Sequence, residues 1–225
     1  MNARYIEAFT VCVNYNDFLD IILPLNKKHF DKWLIVTTPE DIITKQICQK
    51  HNVQFVECNR MYENGDKFNK GKALNDVLHY LTKQDWLLHI DADIILPGNF
   101  RETIDNLDLD PEFLYGSKRK EFDKDYPYKV PFPYGYLQIF SKQSEALRHK
   151  NNIFPENYTN AGYYDVEFIN YWKEKTKMLD IEVLHIPHGT QTNWNGRKSV
   201  TISDDLATYY SHAGRKIGKQ QPLCL

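Results

Sequence analysis

The chain has 225 residues, 42% hydrophobic and 26% charged, a composition that excludes disordered and fibrous classes and fits a single domain with a sizeable core. Lysine and arginine total 28 against 30 aspartate and glutamate, so a formal net charge of -2 excludes a global field that would draw it onto nucleic acid or an anionic membrane. Its longest apolar runs, such as Ile21-Ile22-Leu23-Pro24-Leu25, fall far short of the roughly 20 residues of a membrane span, and residues 1–7 lack the apolar core of a secretory signal, so no transmembrane segment and a cytoplasmic location are the expectations.

In chain order, short apolar segments alternate with amphipathic ones: strand 6–13, helix 18–30, strand 33–37, helix 39–51 and strand 53–58. This alternation predicts βαβ units and a parallel sheet. Over 67–81, Ala73, Leu74, Val77, Leu78 and Leu81 recur at helical spacing, and the apolar strand 86–90 follows directly. After Pro97 the rhythm changes to a helix at 99–106, a strand at 113–116 and a basic-acidic stretch, Lys118-Arg119-Lys120-Glu121. Residues 126–135, rich in proline and tyrosine, predict an extended loop of the kind that borders a site. Strand 136–140, helix 164–175 and strand 181–186 complete the pattern, with a polar, basic tail over 204–225. Four cysteines without C-x-x-C spacing read as reduced, mostly buried thiols.

The chemistry concentrates at Asp91-Ala92-Asp93, which closes the strand 86–90. Residues i and i+2 of a strand share a face, so both carboxylates can reach one divalent ion. Open α/β sheets bind ligands at the carboxyl ends of their strands, and a hard cation held by one or two carboxylates completes its shell with substrate phosphates.

His89-Ile90-Asp91-Ala92-Asp93-Ile94-Ile95-Leu96-Pro97 resembles the D-x-D strand of the GT-A glycosyltransferases, especially family 2-like members. Four further segments agree in order. Phe68-Asn69-Lys70-Gly71-Lys72-Ala73-Leu74-Asn75 is similar to the helix start beside the nucleotide, and Tyr134-Gly135-Tyr136-Leu137-Gln138-Ile139-Phe140 to the glycine-bearing strand under the sugar. Ala161-Gly162-Tyr163-Tyr164-Asp165-Val166-Glu167-Phe168 resembles the G-G-E-D-x-D-F segment of the galactosyltransferase-like branch, with Tyr163 in place of a glycine and Tyr164 in place of an acid. His185-Ile186-Pro187-His188 resembles that branch's late metal-binding strand.

The resemblance implies a GT-A, Rossmann-like three-layer αβα sandwich with a mostly parallel central sheet. Residues 1–97 would form the nucleotide-sugar half, 98–200 the acceptor half and 201–225 a tail. It further implies Mn2+ or Mg2+ on Asp91 and Asp93, with Asp91 also facing the ribose, and His188 as the third protein ligand. His185 joins the same ion only if Pro187 bends the strand. Asp165 takes the place of the general base of inverting enzymes, with Glu167 in reserve. Gly71, Lys72 and Asn75 would contact the donor, a nucleotide diphosphate sugar, UDP-linked by expectation. Arg197 and Lys198 would neutralise its phosphates.

The expected acceptor is a glycan or a lipid-linked sugar. Hydroxymethylated bases of viral DNA are an alternative, with Lys118-Arg119-Lys120, Arg148-His149-Lys150 and Arg215-Lys216 as phosphate contacts. Two other classes remain open: a haloacid dehalogenase-type phosphatase, which also places D-x-D after an apolar strand, and a non-catalytic module that binds sugar or nucleic acid.

Overall fold

A computed structural model describes residues 4–82, 85–121, 127–128, 131–186 and 195–196. Along β1 (Ile6–Val11), Ile6 and Ala8 enter one buried cluster while Phe9 and Val11 enter another, so the strand is covered on both faces. It pairs in parallel with β2 (Lys32–Thr37) and β4 (Trp86–Ile90), and β2 pairs in parallel with β3 (Gln54–Glu57). Helices α1 (Asn16–Asn26), α2 (Ile42–Lys50) and α4 (Phe100–Asn106) feed the first cluster, whereas α3 (Lys70–Leu78) and α5 (Tyr164–Trp172) feed the second. Helices on both faces of one sheet make the three-layer αβα sandwich that the sequence leads one to expect.

Beyond β4 the sheet continues through β8 (Leu137–Phe140), antiparallel to it, then β6 (Leu114–Glu121), β9 (Thr176–His185) and the two-residue β5 (Ile94–Ile95). The order is β3-β2-β1-β4-β8-β6-β9-β5, with β7 (Pro127–Tyr128) on the edge of β6. The change from parallel to antiparallel pairing at β4 puts the end of that strand where the direction of the sheet reverses, a place where α/β sheets open a crevice.

Several boundaries differ from the periodicity. Helix α3 starts at Lys70 and not at 67, because the Asn69 side chain caps it by accepting the Lys72 N–H at 3.2 Å. Helix α5 stops at Trp172, where Lys173 turns to a φ of 52°, and β9 begins at Thr176, ahead of the expected 181. The basic-acidic stretch 118–121 is the distal half of β6. Most consequentially, β4 ends at Ile90, so Asp91-Ala92-Asp93 forms a turn into β5, and the shared-face rule for a strand does not govern the pair. The tail 204–225 lies outside the described residues.

Candidate active site at the β4–β5 turn

Alternation along β4 turns Leu88 and Ile90 toward α1 and α4, which leaves Leu87 and His89 facing α3 and α5. Asp91 continues onto that side. Its N–H donates to the Tyr136 carbonyl at 3.0 Å, and its carboxylate forms a close ion pair with Lys70, the first residue of α3. The Lys70 ammonium also sits 5.4 Å over the ring of Tyr164, at the start of α5. Burial, with Asp93 and Asp165 nearby, pushes the Asp91 carboxyl above the usual carboxylate range against the pull of Lys70.

Behind Asp91 lies His89, fully buried, stacked 5.7 Å from Phe9, with Nε2 3.6 Å from Asp91 Oδ1. Burial holds its imidazole neutral, well below the ordinary histidine range. The Gln138 amide nitrogen donates to the Pro133 carbonyl at 2.8 Å, which turns its oxygen to His89 Nδ1 at 3.4 Å and assigns the ring proton to Nδ1.

Asp93 goes the other way. Its carbonyl accepts the Ile186 N–H at 2.8 Å, and Ile94 pairs with His185, so the end of β9 is fastened beside it. His185 Nε2 lies 3.6 Å from Asp93 Oδ2, and Nδ1 lies 2.6 Å from Glu121 Oε2. Burial alone would lower the imidazole, yet the carboxylates of Asp93 and Glu121 outweigh it and push His185 up to about 9.

Asp165 occupies the first turn of α5. Its Oδ2 accepts the Gly135 N–H at 2.9 Å and its Oδ1 the Val166 N–H at 3.0 Å. A Cβ on Gly135 would meet the Tyr164 hydroxyl at 2.6 Å and the Asp165 carboxylate at 3.3 Å, so glycine permits this close approach. Glu167, two residues on, accepts from the hydroxyls of Tyr158 at 2.9 Å and Tyr171 at 3.3 Å.

Asp91 thus lies within electrostatic reach of Lys70, Asp93, Asp165 and Tyr164, and His185 stands behind Asp93. Gly71, Lys72 and Asn75 belong to the adjoining helix with their contacts directed elsewhere. Lys72 pairs with Asp66 at 2.8 Å, and the Asn75 amide bonds the backbone of Phe154 and the carboxylate of Glu156. Gly71 lies against the Pro155 carbonyl, where a Cβ has no room. His188, Arg197 and Lys198 lie outside the described residues, while the neighbouring Gly196 packs on the ring of Phe68. Sequence reasoning quoted Lys70, Glu121 and Tyr164 within its segments but gave none of them a role of its own; for Lys70 the signal was its place as the first residue after a capping Asn69. Among the described residues no group of three His, Cys, Asp or Glu side chains is placed to hold a metal ion.

No protein-family model matches this sequence, and no curated protein matches it. Solved structures do. A mannosyltransferase from Pyrobaculum calidifontis, in complex with GDP-Man and Mn2+, superposes with a TM-score of 0.62 at 16% identity over 96% of this chain and 65% of that one. Glucosyl-3-phosphoglycerate synthase from Mycobacterium tuberculosis gives 0.54 at 13% identity over 83% of this chain and 73% of that chain. Mannosyl-3-phosphoglycerate synthase from Rubrobacter xylanophilus gives 0.53 at 14% over 98% and 77%. This chain therefore spans 65% of the length of the mannosyltransferase, and it shares the Rossmann-like GT-A fold of these sugar transferases.

Proposed function

We propose that the chain is a metal-dependent glycosyltransferase that moves a sugar from a nucleotide diphosphate sugar to a hydroxyl acceptor. The observation that carries the reading is the convergence of Asp91, Asp93, Asp165 and Lys70 at the carboxyl end of β4, within a fold shared by structures solved with GDP-Man or UDP and with Mn2+ or Mg2+. Asp93 and His185 supply an oxygen and an imidazole donor 3.6 Å apart, a pair that would hold Mn2+ or Mg2+ with its shell completed by His188, a diphosphate and water, and with Asp91 facing the ribose beside it. Bound there, a divalent ion supplies the Lewis-acid charge that a departing nucleoside diphosphate requires.

This chain's own residues do the rest. Lys70, held at the head of α3 by the capped turn, brings a positive charge to the end of β4 and keeps Asp91 oriented. Asp165 is the base of an inverting transfer: its carboxylate, aimed by the Gly135 N–H, takes the proton from the attacking acceptor hydroxyl. Glu167, with a tyrosine hydroxyl on each oxygen, orients the acceptor side. Gly71, Lys72 and Asn75 act on the donor side by fixing α3 against Pro155, Asp66 and Phe154, and Arg197 and Lys198 neutralise phosphate. A UDP-linked donor and a glycan or lipid-linked sugar acceptor complete the reading.

The test is a thermal-shift screen of UDP, GDP and the other nucleoside diphosphates with and without Mn2+, repeated on Asp93→Ala. The expected result is stabilisation by one nucleotide that requires Mn2+ and disappears in the variant. No metal-dependent shift with any nucleotide rejects the reading, and phosphate release from p-nitrophenyl phosphate without sugar nucleotide replaces it with a phosphatase.

A further inference from the structure

Glu121 is a buried carboxylate at the end of β6, the last residue of the basic-acidic stretch, and the reading above gives it no role. A buried carboxylate is costly unless its oxygens are satisfied. Here Oε1 lies 2.8 Å from Arg119 Nη2 and Oε2 lies 2.6 Å from His185 Nδ1. The Arg119 guanidinium is itself braced 5.3 Å over the ring of Tyr136, the residue whose carbonyl accepts the Asp91 N–H. One chain of contacts therefore runs from the backbone of Asp91 through Tyr136, Arg119, Glu121 and His185 to the side chain of Asp93.

The register of β6 on β9 is what brings Glu121 to His185. Ser117 pairs with Leu179, but Lys118 pairs with Glu182, so two residues of β9 are left over in a bulge. Unshifted pairing would set Glu121 opposite Val183; the bulge sets it opposite His185. With Nδ1–H donated to Glu121, Nε2 is the ring atom that faces Asp93 Oδ2, 3.6 Å away, where a divalent ion would take the place of its proton. That separation is longer than a direct hydrogen bond. Two donors each about 2.1 Å from a shared ion lie about 3.0–3.6 Å apart over bond angles of about 90–120°.

We propose that Glu121 is a positioning residue that fixes the tautomer and orientation of His185, so that His185 Nε2 and Asp93 together offer a two-donor divalent-cation site. The inference rests on the metal-dependent reading above and deepens it: His185 is the imidazole donor, and Glu121, backed by Arg119, plays the part that outer carboxylates play behind metal-bound histidines.

The experiment titrates Mn2+ into the full chain at fixed pH in the presence of UDP, and separately of GDP, with free Mn2+ followed by its EPR signal. Thermal unfolding in EDTA reports folding. Glu121→Gln removes the charge, Glu121→Asp shortens the reach, and either is expected to weaken Mn2+ uptake by about 10–100-fold. On a His185→Asn background Glu121→Gln should cost nothing further, since it acts through that ring. A lowered unfolding midpoint with unchanged Mn2+ affinity makes Glu121 a structural brace only and overturns the proposal, as does a further loss on the His185→Asn background. Should Glu121→Gln fail to fold, wild-type Mn2+ affinity in Glu121→Asp overturns it equally. Loss of Mn2+ uptake in Asp93→Asn with none in Glu121→Gln sinks this inference alone; no uptake by the wild type with either nucleotide sinks the underlying reading too.

Discussion

At the scale of single residues, the two aspartates of the D-x-D turn have different partners and different environments. Asp91 is held by Lys70 and pushed toward protonation by burial and by its neighbours, while Asp93 is tied into the end of β9 through its own carbonyl and through His185. The identities at 91 and 93 were legible from sequence. Their division of labour was not, because Lys70 and His185 lie 21 and 92 positions away from their partners in the chain. Glycine shows the same contrast. Gly71 abuts the Pro155 backbone carbonyl, whereas Gly98 has nothing within 4 Å of a Cβ. Gly71→Ala is expected to destabilise the fold by about 3 kcal/mol or more, since backbone must move to admit the methyl. Gly98→Ala is expected to stay within about 0.5 kcal/mol of wild type. Urea unfolding of the two variants checks both, and similar midpoints would show that the approach to Pro155 does not constrain α3.

At the scale of elements, α1 does more than cover the sheet. Asn26, the last residue of the helix and fully buried, donates to the Ile94 carbonyl at 2.7 Å and accepts the Leu96 N–H at 2.9 Å, so it clamps both sides of β5 just after the D-x-D turn. The 3₁₀ turn that follows seats His29 edge-on to Phe100 of α4 at 5.7 Å. Burial there, with Lys28 and Arg101 adding like charge, lowers the His29 imidazole to about 4. A folded-state value below the unfolded 6.5 means that the unfolded chain binds the proton first as pH falls. His29 stability is thus fully present above about 6.5 and is lost toward about 4, on the order of 3 kcal/mol in total. His29→Phe, which keeps a ring against Phe100, should flatten the part of the stability profile between about pH 6.5 and 5, measured by urea unfolding in buffers across that range. An unchanged slope would mean that His29 is protonated in the fold. Buried His89 is lowered for the same reason, so some acid sensitivity is expected to persist in that variant.

At the scale of the whole molecule, the site is a meeting of remote segments: the head of α3, the β4–β5 turn, the glycine turn before β8, the start of α5 and the end of β9. Each is fastened to another by a backbone or buried polar bond, so occupancy should tighten all five together. A nucleoside diphosphate with Mn2+ at about 100 times its Kd adds about 2.7 kcal/mol. Hydrogen exchange should slow at 70–73, 91–94, 135–137, 164–167 and 184–186, and remain unchanged over α2 and β3. Protection spread evenly over the sheet, or centred on α2, would place the ligand elsewhere.

The sequence alone determined the layers and the chemistry on offer. Short apolar segments alternating with amphipathic ones, helical spacing over 73–81 and an acidic pair after an apolar strand follow from local steric and solvation rules that act over a few residues. It also carried far enough to suggest a resemblance to a sugar-transferase fold, and the solved structures share that fold. What only the tertiary structure decided is pairing across distance. The antiparallel entry of β8 beside β4, the Asn75 bracket to Phe154, and the two-residue bulge that sets Glu121 opposite His185 depend on registers between strands and loops far apart in the chain. Local propensity does not encode such registers; they are selected by which buried polar groups can be satisfied once both faces of the sheet are covered.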